Sequence, residues 1–110
     1  MARPEPEIHL PPEEFQRVRG EVVLLDVRTR EEFLSGHIPG ARHLPLDEIP
    51  HRAHELPRDR LVVCVCRSGR RSLEAARLLL ARGFAARSLA GGLQAWRGPV
   101  HRPPAGEVSG

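Results

Sequence analysis

The stretch Leu61-Val62-Val63-Cys64-Val65-Cys66-Arg67-Ser68-Gly69-Arg70-Arg71-Ser72 joins an apolar run to a short polar loop. Residues 61–65 form a continuous apolar run of strand length, which is typical of a strand buried on both faces, as in a parallel sheet. Over residues 72–82 the apolar side chains recur at helical spacing, and Gly83 supplies a C-terminal stop. The stretch therefore predicts a strand, a tight loop and a helix.

The flanking sequence repeats this alternation of strand and helix. Thr29 can cap a helix that carries Glu31 and Glu32 in its first turn and ends at Gly36. Further strands are predicted at residues 8–10, 22–25, 41–44 and 86–89, and further helices from Pro12 to Gly20, over residues 47–54 and after Gly91-Gly92. The pattern indicates an α/β fold, a three-layer α/β/α sandwich with a mainly parallel five-stranded central sheet.

Length and composition favour one compact domain. The chain has 110 residues, and we expect a single domain over residues 1–98 and a polar, mobile tail over residues 99–110. No apolar run approaches the ~20 residues that a membrane-spanning helix requires, and the first seven residues lack the apolar stretch of a secretory signal. We therefore expect a cytoplasmic protein with no membrane contact, and a monomer.

The charge pattern is that of a mixed surface. The chain carries a net charge of +3, with seventeen arginines and fourteen acidic residues interleaved along its length. Its aromatic residues are too few to build a platform on which bases could stack: Phe15, Phe33, Phe84 and Trp96. No nucleic-acid partner is expected.

Cys64 and Cys66 are the only cysteines in the sequence. Residues two apart in a strand lie ~6.6 Å from Cα to Cα, near the upper limit for a disulfide, so both are expected to be free thiols in a reducing compartment. A Cys-x-Cys pair supplies only half of a tetrahedral zinc shell, and the six histidines are scattered. We therefore expect no metal.

The loop after Cys66 has the composition of an anion pocket. Ser68 and Gly69 allow successive backbone N–H groups to turn toward one point, and a helix that begins near Ser72 adds its positive end. The loop also carries three arginines, Arg67, Arg70 and Arg71. Such donors and charges lower the pKa of a thiol at the rim of the pocket. Cys66 is therefore predicted to be a nucleophile.

Cys64 has a different setting, because it lies within the predicted strand between Val63 and Val65. We interpret it as a core residue, since a free cysteine packs as a small hydrophobe. The functional alternative is a resolving thiol that attacks an oxidised Cys66.

Three motifs, in order along the chain, resemble those of the rhodanese-like sulfurtransferases over residues 8–98. The first is Leu25-Asp26-Val27-Arg28 with Glu32-Phe33 and Gly36-His37-Ile38-Pro39-Gly40-Ala41. The second is the loop from Cys66 to Ser72, and the third is Gly91-Gly92-Leu93-Gln94-Ala95-Trp96. The resemblance implies the rhodanese-like form of the α/β sandwich.

The resemblance also implies an activity, that of a thiosulfate sulfurtransferase without a cofactor. The Cys66 thiolate would take the outer sulfur of thiosulfate, release sulfite and become a persulfide, which then passes its sulfur to cyanide, a thiol or a protein acceptor. The N–H groups of residues 67–71 would stabilise the persulfide anion. By resemblance, a basic residue such as Arg67 directly after the cysteine is a feature of thiosulfate-using members, and Arg71 is expected to organise the loop from inside.

The remaining site residues are supporting ones. Asp26 and Arg28 are interpreted as a pair that fixes the end of its strand near the loop, and Ser72 belongs to the same supporting group. His37 is interpreted as part of a structural turn, because sulfur that leaves as sulfite needs no proton donor. Trp96 is assigned to the core.

Several other functions fit parts of this pattern. The protein could be a persulfide carrier whose acceptor is another protein. A small cysteine phosphatase or arsenate reductase is disfavoured, because the phosphatases use Cys-x5-Arg whereas Arg71 follows Cys66 after four residues. An inactive binding module of the same family usually lacks the cysteine, so Cys66 itself argues against that function.

Overall fold

The structure is a computed structural model, and it describes residues 7–104. Strands and helices alternate along most of this range. The strands are β1 (His9–Leu10), β2 (Val23–Asp26), β3 (Arg42–His43), β4 (Val62–Val65) and β5 (Ala86–Leu89). The helices are α1 (Pro12–Val18), α2 (Arg30–Leu34), α3 (Ile49–Arg52), α4 (Arg70–Ala81) and α5 (Gly92–Ala95).

The strands form one sheet in the order β1-β5-β4-β2-β3, and every neighbouring pair is parallel. β4 is the central strand, and both β2 and β4 are buried along their whole length. This arrangement explains why their sequences are unbroken apolar runs rather than alternating ones. In a parallel sheet the carboxyl ends of the strands meet at one edge, where the segment after β4 is flanked by the segments after β2 and β5.

Side chains of β4 alternate between two apolar layers. Val62 and Cys64 pack in the layer that α3 and α4 cover, together with Ala76 and Leu79 of α4. Val63 and Val65 pack in the opposite layer, where Phe15 of α1 and Trp96 lie edge to face at 5.7 Å between ring centroids. The predicted three-layer α/β/α sandwich around a parallel five-stranded sheet is confirmed.

Local chemistry accounts for the start of α2. The Thr29 hydroxyl accepts from the Glu32 N–H while the Glu32 carboxylate accepts from the Thr29 N–H, which is a complete capping box. This cap anchors a helix of only five residues with no fully buried side chain. Glu32 thereby gains a defined orientation, which matters for the site described below.

The segment predicted as one helix over residues 47–54 is built differently. A 3-10 turn at Leu46–Glu48 precedes α3, and a second at Ala53–Glu55 follows it. Pro50 lies in the first turn of α3, where its missing N–H has no partner to lose. Ile49 and Ala53 are buried in the layer beside α4, so packing holds these short pieces together.

The end of the described chain contacts the domain. The backbone N–H groups of His37 and His101 donate to each other's carbonyl oxygens at 2.9 and 2.7 Å, and Val100 packs on the layer that contains Trp96. The domain boundary at residue 98 stays a prediction. Residues 1–6 and 105–110 lie outside the described range, and the second of these segments is half of the expected tail.

Candidate active site

Cys66 immediately follows β4 at the carboxyl edge of the sheet. Its side chain belongs to the layer under α4, and only 1% of the residue is exposed. The loop from Cys66 to Gly69 folds back over the sulfur, and α4 begins at Arg70. Gly69 has φ of +105°, a conformation that side chains rarely adopt, and this reversal makes the tight turn possible.

Three polar groups converge on Cys66 Sγ. The Gly69 N–H donates to it at 3.1 Å and the Ser72 N–H at 3.3 Å, and Ser72 Oγ lies 3.5 Å away. Burial by itself raises the pKa of the Cys66 thiol. The hydrogen bonds from the Ser72 side chain and from the N–H groups of Ser72, Gly69 and Ser68 outweigh burial and hold that pKa below its ordinary value. The site therefore favours a thiolate.

Cys64 lies two residues earlier, is fully buried and is also a free thiol. Burial, reinforced by the nearby negative charge of Cys66, raises the pKa of Cys64 to about 12. The two cysteines therefore differ sharply in ionisation although they share a strand end. This environment matches the core position expected for Cys64.

Ser72 links the sulfur to a second buried hydroxyl. Ser72 Oγ and Ser88 Oγ lie 2.7 Å apart, and both residues are completely buried. Ser88 belongs to β5 and pairs with Cys64 across the sheet. Ser72 is one of the predicted supporting residues, whereas Ser88 was not predicted. The available signal was a small polar residue within the predicted strand at residues 86–89.

The loop arginines have different surroundings. Arg67 and Arg70 are exposed beside the Cys66 loop. Arg71 does not turn into the loop as expected. Its guanidinium donates to both carboxylate oxygens of Glu32 at 2.6 and 2.9 Å, and about a third of each side chain is exposed. Arg71, in the first turn of α4, therefore ties the start of that helix to α2.

Glu32 is the second residue that the sequence analysis did not assign to the site. The Arg71 hydrogen bond holds the pKa of the Glu32 carboxyl down at about 2, with help from Thr29 and against the effect of burial. The capping box was the available signal, because it fixes an acidic side chain at the start of α2. The ion pair itself joins residues 39 apart in sequence.

Asp26 and Arg28 form the ion pair that the sequence analysis expects. The Arg28 guanidinium donates to Asp26 through Nε and Nη2, with the Nη2 contact at 2.8 Å, and both side chains are buried. The same Nη2 donates to the Gly36 carbonyl at 2.7 Å. The pair therefore fastens the end of β2 to the turn after α2, on the side of the sheet edge where Glu32 lies.

Helix α5 holds the start of the Cys66 loop. The Leu93 N–H donates to the Cys66 carbonyl at 2.9 Å, and the Gln94 N–H donates to the Arg67 carbonyl at 3.0 Å. Gly92 has φ of +59°, and a Cβ there would lie 2.5 Å from the Cys66 oxygen. This close approach requires glycine. The Gly91-Gly92 motif thus shapes the Cys66 loop, a role that was not predicted from the sequence.

His37 and Trp96 have structural surroundings. His37 Nδ1 lies 2.9 Å from the Phe33 carbonyl oxygen, and its ring stacks on Phe33 at 3.8 Å between centroids. The Trp96 ring is buried against Phe15, and its indole N–H donates to the Pro99 carbonyl at 3.0 Å. Both arrangements fit the interpretations of a structural turn and a core residue.

Residues 7–104 show neither a metal-ligand cluster nor a membrane-spanning helix. No group of three or more His, Cys, Asp or Glu side chains in this range is placed to hold a metal ion. No helix in it is long and apolar enough to cross a membrane.

Comparison with known proteins identifies the family. A family model described as the rhodanese-like domain matches residues 12–99. A sulfurtransferase of Allochromatium vinosum is 46% identical over 77 residues, which are 69% of this chain and 72% of the relative. The thiosulfate sulfurtransferase GlpE of Pseudomonas syringae is 39% identical over 90 residues, 80% of this chain and 85% of the relative. A rhodanese-related protein from Thermoplasma volcanium superposes with a TM-score of 0.82 at 26% identity, covering 86% of this chain and 98% of that one. The chain therefore belongs to the rhodanese-like family.

Proposed function

We propose that the protein is a thiosulfate sulfurtransferase that carries sulfur as a Cys66 persulfide. The observation that carries the proposal is the convergence of the Gly69 and Ser72 N–H groups on Cys66 Sγ, which prepares a thiolate at the sheet edge. Relatives named as sulfurtransferases support the reaction type, and one of them is named for thiosulfate.

In the first half-reaction the Cys66 thiolate attacks the outer sulfur of thiosulfate. A bond forms between Sγ and that sulfur, and the bond between the two thiosulfate sulfurs breaks, with its electron pair leaving on sulfite. The persulfide anion and sulfite together carry the same charge as the thiolate and thiosulfate. The outer sulfur then lies against the loop N–H groups, whose fixed dipoles stabilise its charge.

In the second half-reaction a nucleophilic acceptor takes the outer sulfur. Cyanide attacks it, the sulfur–sulfur bond of the persulfide breaks, and its electron pair returns to Cys66 as the thiolate while thiocyanate leaves. A thiolate acceptor reacts in the same way and leaves as a persulfide. The protein needs no cofactor for either step, because each is a displacement at sulfur with the charge carried by the reactants.

The loop arginines support an anionic donor. Arg67 and Arg70 are exposed next to the buried sulfur, so their guanidinium groups can attract a dianion without desolvation of a buried charge. Arg71 is engaged by Glu32 through both carboxylate oxygens, which leaves it poorly disposed to bind the oxygens of a transferring phosphoryl group. This engagement and the short loop both argue against a phosphatase.

Mass spectrometry of the intact protein after thiosulfate treatment tests the proposal. We expect an adduct of about +32 Da, one sulfur atom, on the wild type and none on Cys66→Ala. Cys64→Ala serves as the matched control and keeps the adduct, since Cys64 is buried and its thiol stays protonated. A wild type that takes up no sulfur while hydrolysing a phosphate ester would refute the proposal.

The acceptor is tested separately, with the protein loaded in this way. Rapid discharge of the persulfide by cyanide and by small thiols supports the small-molecule enzyme. Discharge only by a protein thiol would mean that the chain is a persulfide carrier instead. In both cases Cys66 remains the residue that carries the transferred sulfur.

A further inference from the structure

The buried hydroxyl of Ser88 has one hydrogen-bond partner within residues 7–104, the Ser72 hydroxyl at 2.7 Å. Ser88 is completely buried in β5 and lies opposite Cys64 in the sheet register. Ser72 Oγ is in turn 3.5 Å from Cys66 Sγ. Sulfur and the two hydroxyls thus form a short chain of polar groups between the sheet and α4.

The direction of the hydrogen bonds in this chain depends on where the proton of Ser88 goes. If Ser88 donates to Ser72 Oγ, the Ser72 hydroxyl proton is free to donate to Cys66 Sγ, and each hydroxyl proton has an acceptor. If the Cys66 thiol instead donates to Ser72 and Ser72 donates to Ser88, the Ser88 proton points into a fully buried site without an acceptor in the described chain. The first direction is favoured, because a buried donor that makes no hydrogen bond is costly.

We propose that Ser88 is a positioning residue for sulfur transfer, and that its hydroxyl donates to Ser72 Oγ and so directs the Ser72 hydroxyl proton at Cys66 Sγ. A chain of donors that ends on sulfur stabilises the anion more than the neutral thiol, because each hydrogen bond polarises the next. Ser88 touches neither the sulfur nor the substrate. The inference rests on the proposed function, since it concerns the thiolate that receives the sulfur.

Alkylation of Cys66 by iodoacetamide, followed against pH, tests the inference without any sulfur donor. Thiolate alone reacts, so the rate profile reports the ionisation of Cys66. In Ser88→Ala we expect the profile to move to higher pH and the rate near pH 6 to fall about three- to tenfold, the effect of one ordinary hydrogen bond. Tandem mass spectrometry assigns the label to Cys66.

Two further variants separate the hydroxyl from packing. Ser88→Thr keeps a hydroxyl and restores most of the wild-type profile. Ser35→Ala removes the hydroxyl of an exposed serine that donates to the Glu32 carbonyl, and it leaves the profile unchanged. An unchanged profile in Ser88→Ala, or equal displacement by Ser88→Ala and Ser88→Thr, would overturn the inference.

The result of the alkylation experiment can be interpreted separately from that of the persulfide test. If the wild type gains the sulfur adduct and Ser88→Ala alkylates like the wild type, the role of Ser88 is refuted while the proposed function stands. If the wild type gains no adduct but Ser88→Ala displaces the alkylation profile, the proposed function fails, and the hydrogen-bond direction is supported as a property of the Cys66 thiolate.

Discussion

Arg71 and Glu32 join the first turn of α4, directly after the Cys66 loop, to helix α2 through two hydrogen bonds of 2.6 and 2.9 Å. The carboxylate is fixed on its own side by the Thr29 capping box. The loop that surrounds Cys66 is therefore held at both ends: α5 binds its start through backbone hydrogen bonds, and its end continues into α4, whose first turn the ion pair fixes to α2. A loop held in this way keeps its donors in place before a substrate arrives, which is the condition for electrostatic stabilisation without reorganisation.

The ion pair predicts a defined acid sensitivity of the fold. Because Arg71 lowers the folded-state pKa of Glu32 to about 2, below its value in the unfolded chain, the pair contributes stability at neutral pH. That contribution disappears as the pH falls from about 4.5 toward 2. We expect Glu32→Gln to lose about 1 kcal/mol of unfolding free energy at pH 7, a figure discounted for the exposure of both side chains, and much less near pH 2.5.

Urea unfolding of both proteins at several pH values measures this difference. Glu31→Gln is the matched control, since it removes an exposed carboxylate from the same helix. Its unfolding free energy should stay close to that of the wild type at every pH. A Glu32→Gln deficit that persists unchanged in acid would show that the side chain acts by packing rather than by charge.

The two cysteines are predicted to react differently although Cys64 lies in β4 and Cys66 directly follows that strand. At pH 8 iodoacetamide should label the native protein once, at Cys66, because its pKa is lowered by the hydrogen bonds that outweigh burial. Cys64, whose pKa is raised to about 12, should be labelled only after unfolding. The number of labels per chain, measured by intact mass spectrometry of the native protein and of the protein in urea, tests this prediction.

Cys66→Ala is the informative variant in that experiment. It should take no label in the native state and one label in urea. Native labelling of Cys64 in this variant would contradict the buried environment assigned to it and would revive its role as a resolving thiol.

Much of this site could be predicted from the sequence, because its main signals are local. The apolar run of residues 61–65 marks β4, and Gly69 followed by the helical pattern marks the turn that places Cys66 at the strand end. Asp26 and Arg28 both belong to the first of the three family motifs, so their pairing also follows from a local signal. Local patterns of this kind depend on few other parts of the chain.

The contacts that fix the loop are long-range, and for that reason they could not be predicted from one sequence. Arg71 and Glu32 are 39 residues apart, and Ser72 and Ser88 are 16 apart. Arg71 was expected to organise the loop from inside. The sequence of the loop does not show that the Glu32 carboxylate on α2 lies within reach of Arg71. The succession of a 3-10 turn, α3 and a second 3-10 turn over residues 46–55 was also not predicted. Burial of Ile49 and Ala53 holds these short elements, and helix propensity does not reveal it.

Gly92 is predicted to be essential for the geometry of the Cys66 loop. A Cβ at this position would lie 2.5 Å from the Cys66 carbonyl oxygen and 2.6 Å from that of Arg67, so either the loop or α5 must move. We expect Gly92→Ala to slow persulfide formation about tenfold or more, because small displacements of reacting groups have large effects on rate. Single-turnover release of sulfite from thiosulfate measures this step.

Gly40→Ala controls for backbone strain in the Gly92 experiment. Gly40 also has a positive φ, +87°, but no atom lies within 4 Å of a Cβ built there. This variant should lose about 1 kcal/mol of stability while forming persulfide at the wild-type rate. Equal slowing by both substitutions would assign the effect to strain and would remove the special role of Gly92.

Arg67 is predicted to act on the donor rather than on the sulfur that Cys66 already carries. Its side chain is exposed next to the loop, so removal of its charge should weaken the attraction of the thiosulfate dianion and raise KM about three- to tenfold. Discharge of a preloaded persulfide to a neutral or singly charged acceptor should change less. Steady-state kinetics with thiosulfate and single-turnover discharge measure the two effects separately.

Arg77→Ala gives the same change in net charge at a distant place. Arg77 is exposed on α4 and lines a cavity with Leu61 and Ala86, at the amino ends of the strands and opposite the Cys66 loop. If Arg67 attracts the donor locally, Arg77→Ala leaves KM near the wild-type value. Added salt should also raise KM more in the wild type than in Arg67→Ala, because ions screen the exposed charge of Arg67. Equal increases in KM for both variants would mean that the net charge of the protein, not Arg67, recruits the donor.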